Sequence, residues 1–218
     1  MLRFQCLVLD HDDTVVRSTP TVNYPSVRRV MKKLRPELEF SLEDFSLWNF
    51  EPGFQALLED IWKLTPEEQE IMYSSWLADV MQEMPPLYEG FDRLLARHRA
   101  EGGKISVVSH SCRDNILRDY REQLGFEPDL IFGWELAEDQ RKPHPYPLEE
   151  TMRRLSLPPD QLLMVDDLRP GCDMAKKCGI PFAGAGWSHD TPEIEEYLRA
   201  HGDWYFKTVG ELETFLFG

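Results

Sequence analysis

Basic runs are missing from this chain. Twenty-four lysines and arginines stand against 39 aspartates and glutamates, for a net charge of −15. Nucleic-acid backbones demand a positive footprint that is not here, and an acidic membrane leaflet repels such a surface. Cysteine is scarce: Cys6, Cys112, Cys172 and Cys178, with no Cys-x-x-Cys pair. That speaks against a disulfide scaffold and for reduced thiols in a cytoplasmic protein. No apolar stretch approaches the roughly 18 residues of a membrane span. The apolar run at 4–9 meets Asp10 at once and is too short for a signal peptide. Internal repeats and low-complexity segments are also lacking. What is there is 218 residues with 42% hydrophobic content. That suits one large domain, or a core with a smaller inserted one. So acidic a protein needs a local positive site, a metal ion or a placed lysine, to take a negative ligand.

The periodicity divides the chain. Residues 2–9 read as a strand. A helical block follows: Val27, Val30, Met31 and Leu34 fall at i, i+3, i+4, i+7, as do Phe54, Leu57, Leu58 and Ile61, and again Tyr73, Trp76, Leu77 and Val80. Thr65-Pro66-Glu67-Glu68 has the signature of a helix start. Pro85-Pro86 ends the block, and Phe91, Leu94, Leu95 and His98 mark another helix. From there strands at 104–108, 130–132, 161–165, 180–183 and 204–206 alternate with helices near 113–124, 147–156 and 171–178, one opening at Thr191, and one over the last eight residues. This rhythm predicts an α/β fold, a Rossmann-like doubly wound parallel sheet. The helical block interrupts it, so residues 17–86 are expected to form an inserted all-helical cap, with 1–16 and 87–218 forming the core.

Four chemical pieces stand at predicted strand ends or in the loops beyond. Asp10-His11-Asp12-Asp13-Thr14 follows the first strand. Asp10 and Asp12 are spaced to share one face of an extended backbone. Ser109, in Ser109-His110-Ser111, follows the second; its hydroxyl suits phosphoryl oxygens, although Ser111 or Asp114 could also be a simple helix cap. Lys142 lies in Arg141-Lys142-Pro143-His144-Pro145, where two prolines stiffen the backbone after a charge suited to phosphate. Asp166-Asp167 follows the strand at 161–165. Adjacent buried carboxylates repel unless a cation stands beside them, and Mg²⁺ prefers oxygen ligands.

In that order these pieces resemble the four motifs of the haloacid dehalogenase-like hydrolases. The helical insertion resembles the alpha-helical cap of the phosphoglycolate phosphatase and beta-phosphoglucomutase-like members. The resemblance implies a Mg²⁺-dependent phosphatase acting on a small phosphorylated metabolite. Asp10 is then the nucleophile that forms an aspartyl-phosphate. Asp12 is the proton donor and acceptor. Ser109 and Lys142 stabilise the transferring oxygens. Asp10, the Asp12 carbonyl and either Asp166 or Asp167 hold the metal. Neither nucleic acid nor membrane is an expected partner, and the oligomeric state stays open.

Some positions depart from the family pattern. Asp13 stands where many members carry glycine, Asp166 replaces another glycine, and Gly171 replaces an acid. Tyr146 and Arg17 also stand where acids are frequent. His11 is expected to pack, His110 and His144 to act through their backbones, and Cys112 to be a bystander; His189 has no assigned role. Trp48, Asn49 and Phe50 are candidates for closing over substrate, with packing the better reading of the two aromatics. Two alternatives remain: a sugar-phosphate phosphomutase using the same aspartyl-phosphate, and a non-catalytic phosphate- or metal-responsive binding protein. Dehalogenase chemistry is disfavoured by the acid at Asp12, and a receiver domain by the order of its acids.

Overall fold

β1 (Cys6–Leu9) is buried along its whole length because it is sandwiched by neighbours on both sides. In the computed structural model, which describes residues 2–218, β1 pairs in parallel with β2 (Lys104–Val108) and with β4 (Leu162–Asp166). Leu9 sits opposite Val107 on one side and Val165 on the other. β3 (Leu130–Phe132) extends the sheet beyond β2, and β5 (Phe182–Ala185) and β6 (Trp204–Phe206) extend it beyond β4. The six parallel strands run β3-β2-β1-β4-β5-β6. A parallel sheet covered by helices must bury both faces, so its central strands read as unbroken apolar runs. Cys6-Leu7-Val8-Leu9 is such a run.

Parallel pairing puts every strand's C-terminal end on one edge. The chain steps outward from β1 to β2 and β3, then reverses to β4 on the far side of β1. Such reversals leave a crevice at the carboxyl ends of the strands, which is where open α/β sheets bind ligands.

By contact density the chain splits into two units, one formed by the stretch up to Arg17 together with Leu87–Gly218, the other by Ser18–Pro86. The first carries the sheet and the helices α5 (Phe91–Ala100), α6 (Arg113–Asp119), α7 (Tyr146–Leu155), α8 (Arg169–Cys178), α9 (Pro192–His201) and α10 (Val209–Phe217). Leu7, Leu9, Val107, Val165, Phe91 and Ile116 are among its fully or almost fully buried core.

The second unit is helical: α1 (Tyr24–Leu34), α2 (Leu42–Phe50), α3 (Phe54–Ala56) and α4 (Pro66–Gln82), with π turns at Thr19–Asn23 and Leu57–Ile61. It has its own core of Val27, Val30, Met31, Phe40, Phe45, Leu57 and Trp62, among others. Thr65 caps α4 as its sequence predicts: the hydroxyl accepts from the Glu68 N–H, and Glu68 accepts from the Thr65 N–H.

Several sequence expectations shift. The first strand shortens from 2–9 to Cys6–Leu9. The strand expected at 180–183 runs over Phe182–Ala185 instead. Pro181 has no N–H to add to a ladder, and Gly179 in the left-handed region ends α8 first. Of the stripe Tyr73, Trp76, Leu77, Val80 only Val80 is buried; Tyr73 is 36% exposed, and Met72, outside the stripe, is buried instead. Apolar residues lie on several sides of this helix, so periodicity alone could not choose among them. The stripe Phe54 to Ile61 likewise buries only Leu57 and Leu58, since the chain changes there from an α to a π turn.

Candidate active site

Asp10 follows β1 directly, and its N–H donates to the Val165 carbonyl of β4 at 2.9 Å. That bond places the residue at the crevice between β1 and β4. The residue is buried, 4% exposed. Lys142 reaches it from the loop before α7. Its Nζ lies 2.6 Å from Asp10 Oδ1 and 2.8 Å from Asp166 Oδ2, so one ammonium bridges the two strand ends. Burial works against that charge, but Asp10 and Asp166 outweigh it and hold the Lys142 pKa above its ordinary value.

Asp166 ends β4, and Asp167 follows it. Asp166 Oδ1 accepts from the Leu168 N–H at 2.9 Å. Asp167 Oδ1 accepts from the Thr14 hydroxyl at 3.2 Å, and Asp167 Oδ2 lies 2.5 Å from His189 Nε2. Burial pushes both carboxyl pKa values up, and the proximity of Asp10 adds to it. Asp10, Asp166 and Asp167 each offer a carboxylate oxygen, and these atoms lie within 4.8 Å of one another. When ionised, three buried carboxylates around one ammonium leave excess negative charge, and their donors are hard oxygens. The set could hold a metal ion, and a divalent cation that favours oxygen suits it. A second set, Asp13, Asp167 and His189, shares Asp167. The Asp12 carboxylate belongs to neither set among the described residues; Asp12 is half-buried two residues past Asp10, on the loop leaving β1.

Ser109 lies at the end of β2, the other neighbour of β1, and is buried. Its N–H donates to the Phe132 carbonyl at 3.0 Å, and its hydroxyl accepts from the Ser111 N–H at 3.2 Å. The simple-cap alternative for Ser111 or Asp114 is not what forms. The N-cap of α6 is Cys112, which makes no side-chain cap bond, and the Arg113 N–H donates to Glu135 at 2.9 Å.

The departures have structural reasons. Asp13 has φ = +56°, the left-handed region that glycine takes most easily and aspartate tolerates. Asp166 and Gly171 belong together: a Cβ added at Gly171 would overlap the Asp166 carboxylate. The space that the Asp166 carboxylate fills excludes a side chain at 171.

The histidines divide differently from expectation. His11 is fully buried, with Nε2 3.1 Å from Asp119 Oδ2 on α6. Burial disfavours its charge, but the Asp119 hydrogen bond prevails and raises its pKa. His110 and His144 use their rings rather than their backbones alone. The His110 ring meets the Lys142 carbonyl at 2.9 Å, and His144 Nδ1 accepts from the Tyr146 N–H at 3.2 Å. Burial, and then the Lys142 charge, pushes the His110 pKa down to about 4. His189 is the residue that sequence reasoning missed. It follows a short strand in a loop without pattern, and only the β4–β5 pairing brings it to Asp167.

None of the four cysteines is in a disulfide, and burial raises Cys6 to about 12 and Cys172 and Cys178 to about 11. Trp48 packs in the core of the helical unit against Phe40 and Trp62, and the Asn49 amide donates to the Phe45 carbonyl of its own helix at 2.7 Å.

The profile of the haloacid dehalogenase-like hydrolases matches residues 7–185. A phosphoglycolate phosphatase of Aquifex aeolicus (strain VF5) is 26% identical over 171 residues, which cover 72% of this chain and 79% of that protein. Among solved structures, a "predicted phosphoglycolate phosphatase" from Haemophilus somnus 129PT superposes with a TM-score of 0.79 at 19% identity, covering 99% of both chains. CbbY from Rhodobacter sphaeroides, in complex with xylulose-(1,5)bisphosphate, gives 0.73 at 18% identity, covering 96% of both. No helix among the described residues is long and apolar enough to cross a membrane. The profile match spans Asp10, Ser109, Lys142 and Asp166, and on that ground the chain belongs to the haloacid dehalogenase-like hydrolases.

Proposed function

We propose that this protein is a Mg²⁺-dependent phosphatase of a small phosphorylated metabolite, working through an aspartyl-phosphate on Asp10. The observation that carries this reading is the Lys142 ammonium set between Asp10 and Asp166 at the reversal of the sheet.

An Asp10 carboxylate oxygen attacks phosphorus, and the bond from phosphorus to the leaving alcohol oxygen breaks. Asp12 gives its proton to that oxygen. In the second half Asp12 takes a proton from water, the water oxygen attacks phosphorus, and inorganic phosphate leaves with Asp10 restored. Lys142 neutralises charge beside the nucleophile, and Ser109 supplies a hydroxyl at the neighbouring strand end. Asp10, the Asp12 carbonyl and Asp167 would hold Mg²⁺, with Asp166 committed to Lys142 and the Leu168 N–H. Bound Mg²⁺ supplies positive charge that lets an anionic phosphate approach an anionic nucleophile.

The test is phosphate release from a panel of phosphorylated metabolites and p-nitrophenyl phosphate, in Mg²⁺ and in EDTA. Phosphoglycolate and xylulose 1,5-bisphosphate belong in the panel, because similar chains are named for them or bind them. Release should require Mg²⁺ and fall to background in Asp10→Asn. Rearrangement of a sugar phosphate without phosphate release would replace the reading with a phosphomutase. Mg²⁺ binding without any turnover would leave a binding protein.

A further inference from the structure

Three consecutive side chains of the loop after β5 each hold a different part of the acidic centre. The Trp187 indole N–H donates to the Thr14 carbonyl at 3.0 Å. The Ser188 hydroxyl donates to the Asp13 carbonyl. His189 Nε2 meets Asp167 Oδ2 at 2.5 Å. Two of these bonds fix the backbone just beyond Asp12, and the third fixes a carboxylate on the other acidic strand end. The reaction steps above use none of the three residues.

We propose that Trp187-Ser188-His189 is a positioning clamp, in which His189 sets the Asp167 carboxylate for cation binding. This rests on the reading of Asp167 as a metal ligand. A terminal carboxylate torsion is broad and two-fold, so it is not fixed by rotamer preference. Here Thr14 takes one oxygen and His189 the other. With both held, the plane of the carboxylate is set before a cation arrives. Partners of this kind, which orient a ligand rather than touch the metal, are commonly worth about 10–100-fold in metal affinity or activity.

The outer side of the loop is open. A cavity of about 320 Å³ is lined by Trp187, Ser188, His189, Asp190, Glu195 and Lys207, among others. Truncating His189 therefore opens its place to water and leaves no dry void, so the fold should survive the change. Trp187 is different: its ring packs edge-on against Phe91, with centroids 5.7 Å apart. Trp187→Phe keeps an aromatic ring there and removes only the N–H.

The experiment titrates Mg²⁺ alone into the full chain by calorimetry, for the wild type, His189→Ala, His189→Gln and Trp187→Phe. Each variant is checked for cooperative unfolding. His189→Ala should weaken Mg²⁺ binding by about 10–100-fold, and His189→Gln, which keeps a donor, should recover most of it. At saturating Mg²⁺ the KM for p-nitrophenyl phosphate should stay within about twofold, with the loss in kcat. Trp187→Phe should weaken Mg²⁺ by a smaller factor. Wild-type affinity in His189→Ala overturns the clamp, as does a Gln variant as weak as Ala. If wild type itself binds no Mg²⁺, the metal-centre reading falls and takes the clamp with it. If wild type binds and His189→Ala matches it, the clamp alone falls.

Discussion

Gly171 is the smallest residue with the largest claim on the site. Its missing side chain makes room for the Asp166 carboxylate, which Lys142 then grips at 2.8 Å. Gly171→Ala should force Asp166 off the ammonium. A displacement of about 1 Å at a reacting centre can cost on the order of 10² in rate, and overpacking costs about 1–3 kcal/mol in stability. Steady-state kinetics and a thermal melt measure both; an unchanged kcat would show that Asp166 does not set Lys142. The pairing of 166 with 171 was only half legible in the sequence. Both departures from the family pattern were visible, but not that one made space for the other. Lys142 was legible because the two prolines after it and the later acidic pair fit one chemistry. His189 was not, because nothing local distinguishes a single histidine after a glycine and a tryptophan. Its role depends on β5 lying beside β4.

Among the elements, the strands and helices of the sheet unit were read from alternation, and most lie within a few residues of their expected places. The misplacements share a cause. Pro181 delays β5, and a π turn at Leu57–Ile61 breaks the 3.6-residue rhythm on which periodicity rests. Helix starts were easier, because caps are written in residue types. Thr65 and Glu68 satisfy each other's N–H groups at the start of α4. Thr65→Ala should lower stability by about 1 kcal/mol, seen as a reduced urea midpoint with unchanged slope. No change in the midpoint would mean that the seventeen-residue α4 does not depend on its cap.

For the whole molecule, the buried acids tie stability to pH and metal. Burial raises Asp166 to about 8 and Asp167 well above its ordinary value. Unfolded carboxyls ionise near pH 4, as ordinary ones do. The fold therefore keeps protons that the unfolded chain releases. That stabilisation is complete below about pH 4 and is lost as pH rises toward about 8. His98, His110 and His189, held neutral by burial, act oppositely below about pH 6.5. Between about pH 6.5 and 8, in EDTA, the melting temperature should fall with rising pH. Mg²⁺ should reduce the fall by displacing the protons, and Asp166→Asn should make it shallower in EDTA, with Asp167 and His11 still contributing. An identical slope in wild type and Asp166→Asn would contradict the assignment.

A covalent bond between Asp10 and phosphorus is the central step of the proposed reaction. The direct test mixes enzyme, Mg²⁺ and a radiolabelled substrate from the panel, quenches in acid within the first turnover, and maps the label by peptide. The label should sit on the peptide that carries Asp10, disappear with EDTA, and be missing from Asp10→Asn. Turnover with no trapped label in a fast-quench series, or label on a different residue, would contradict the mechanism.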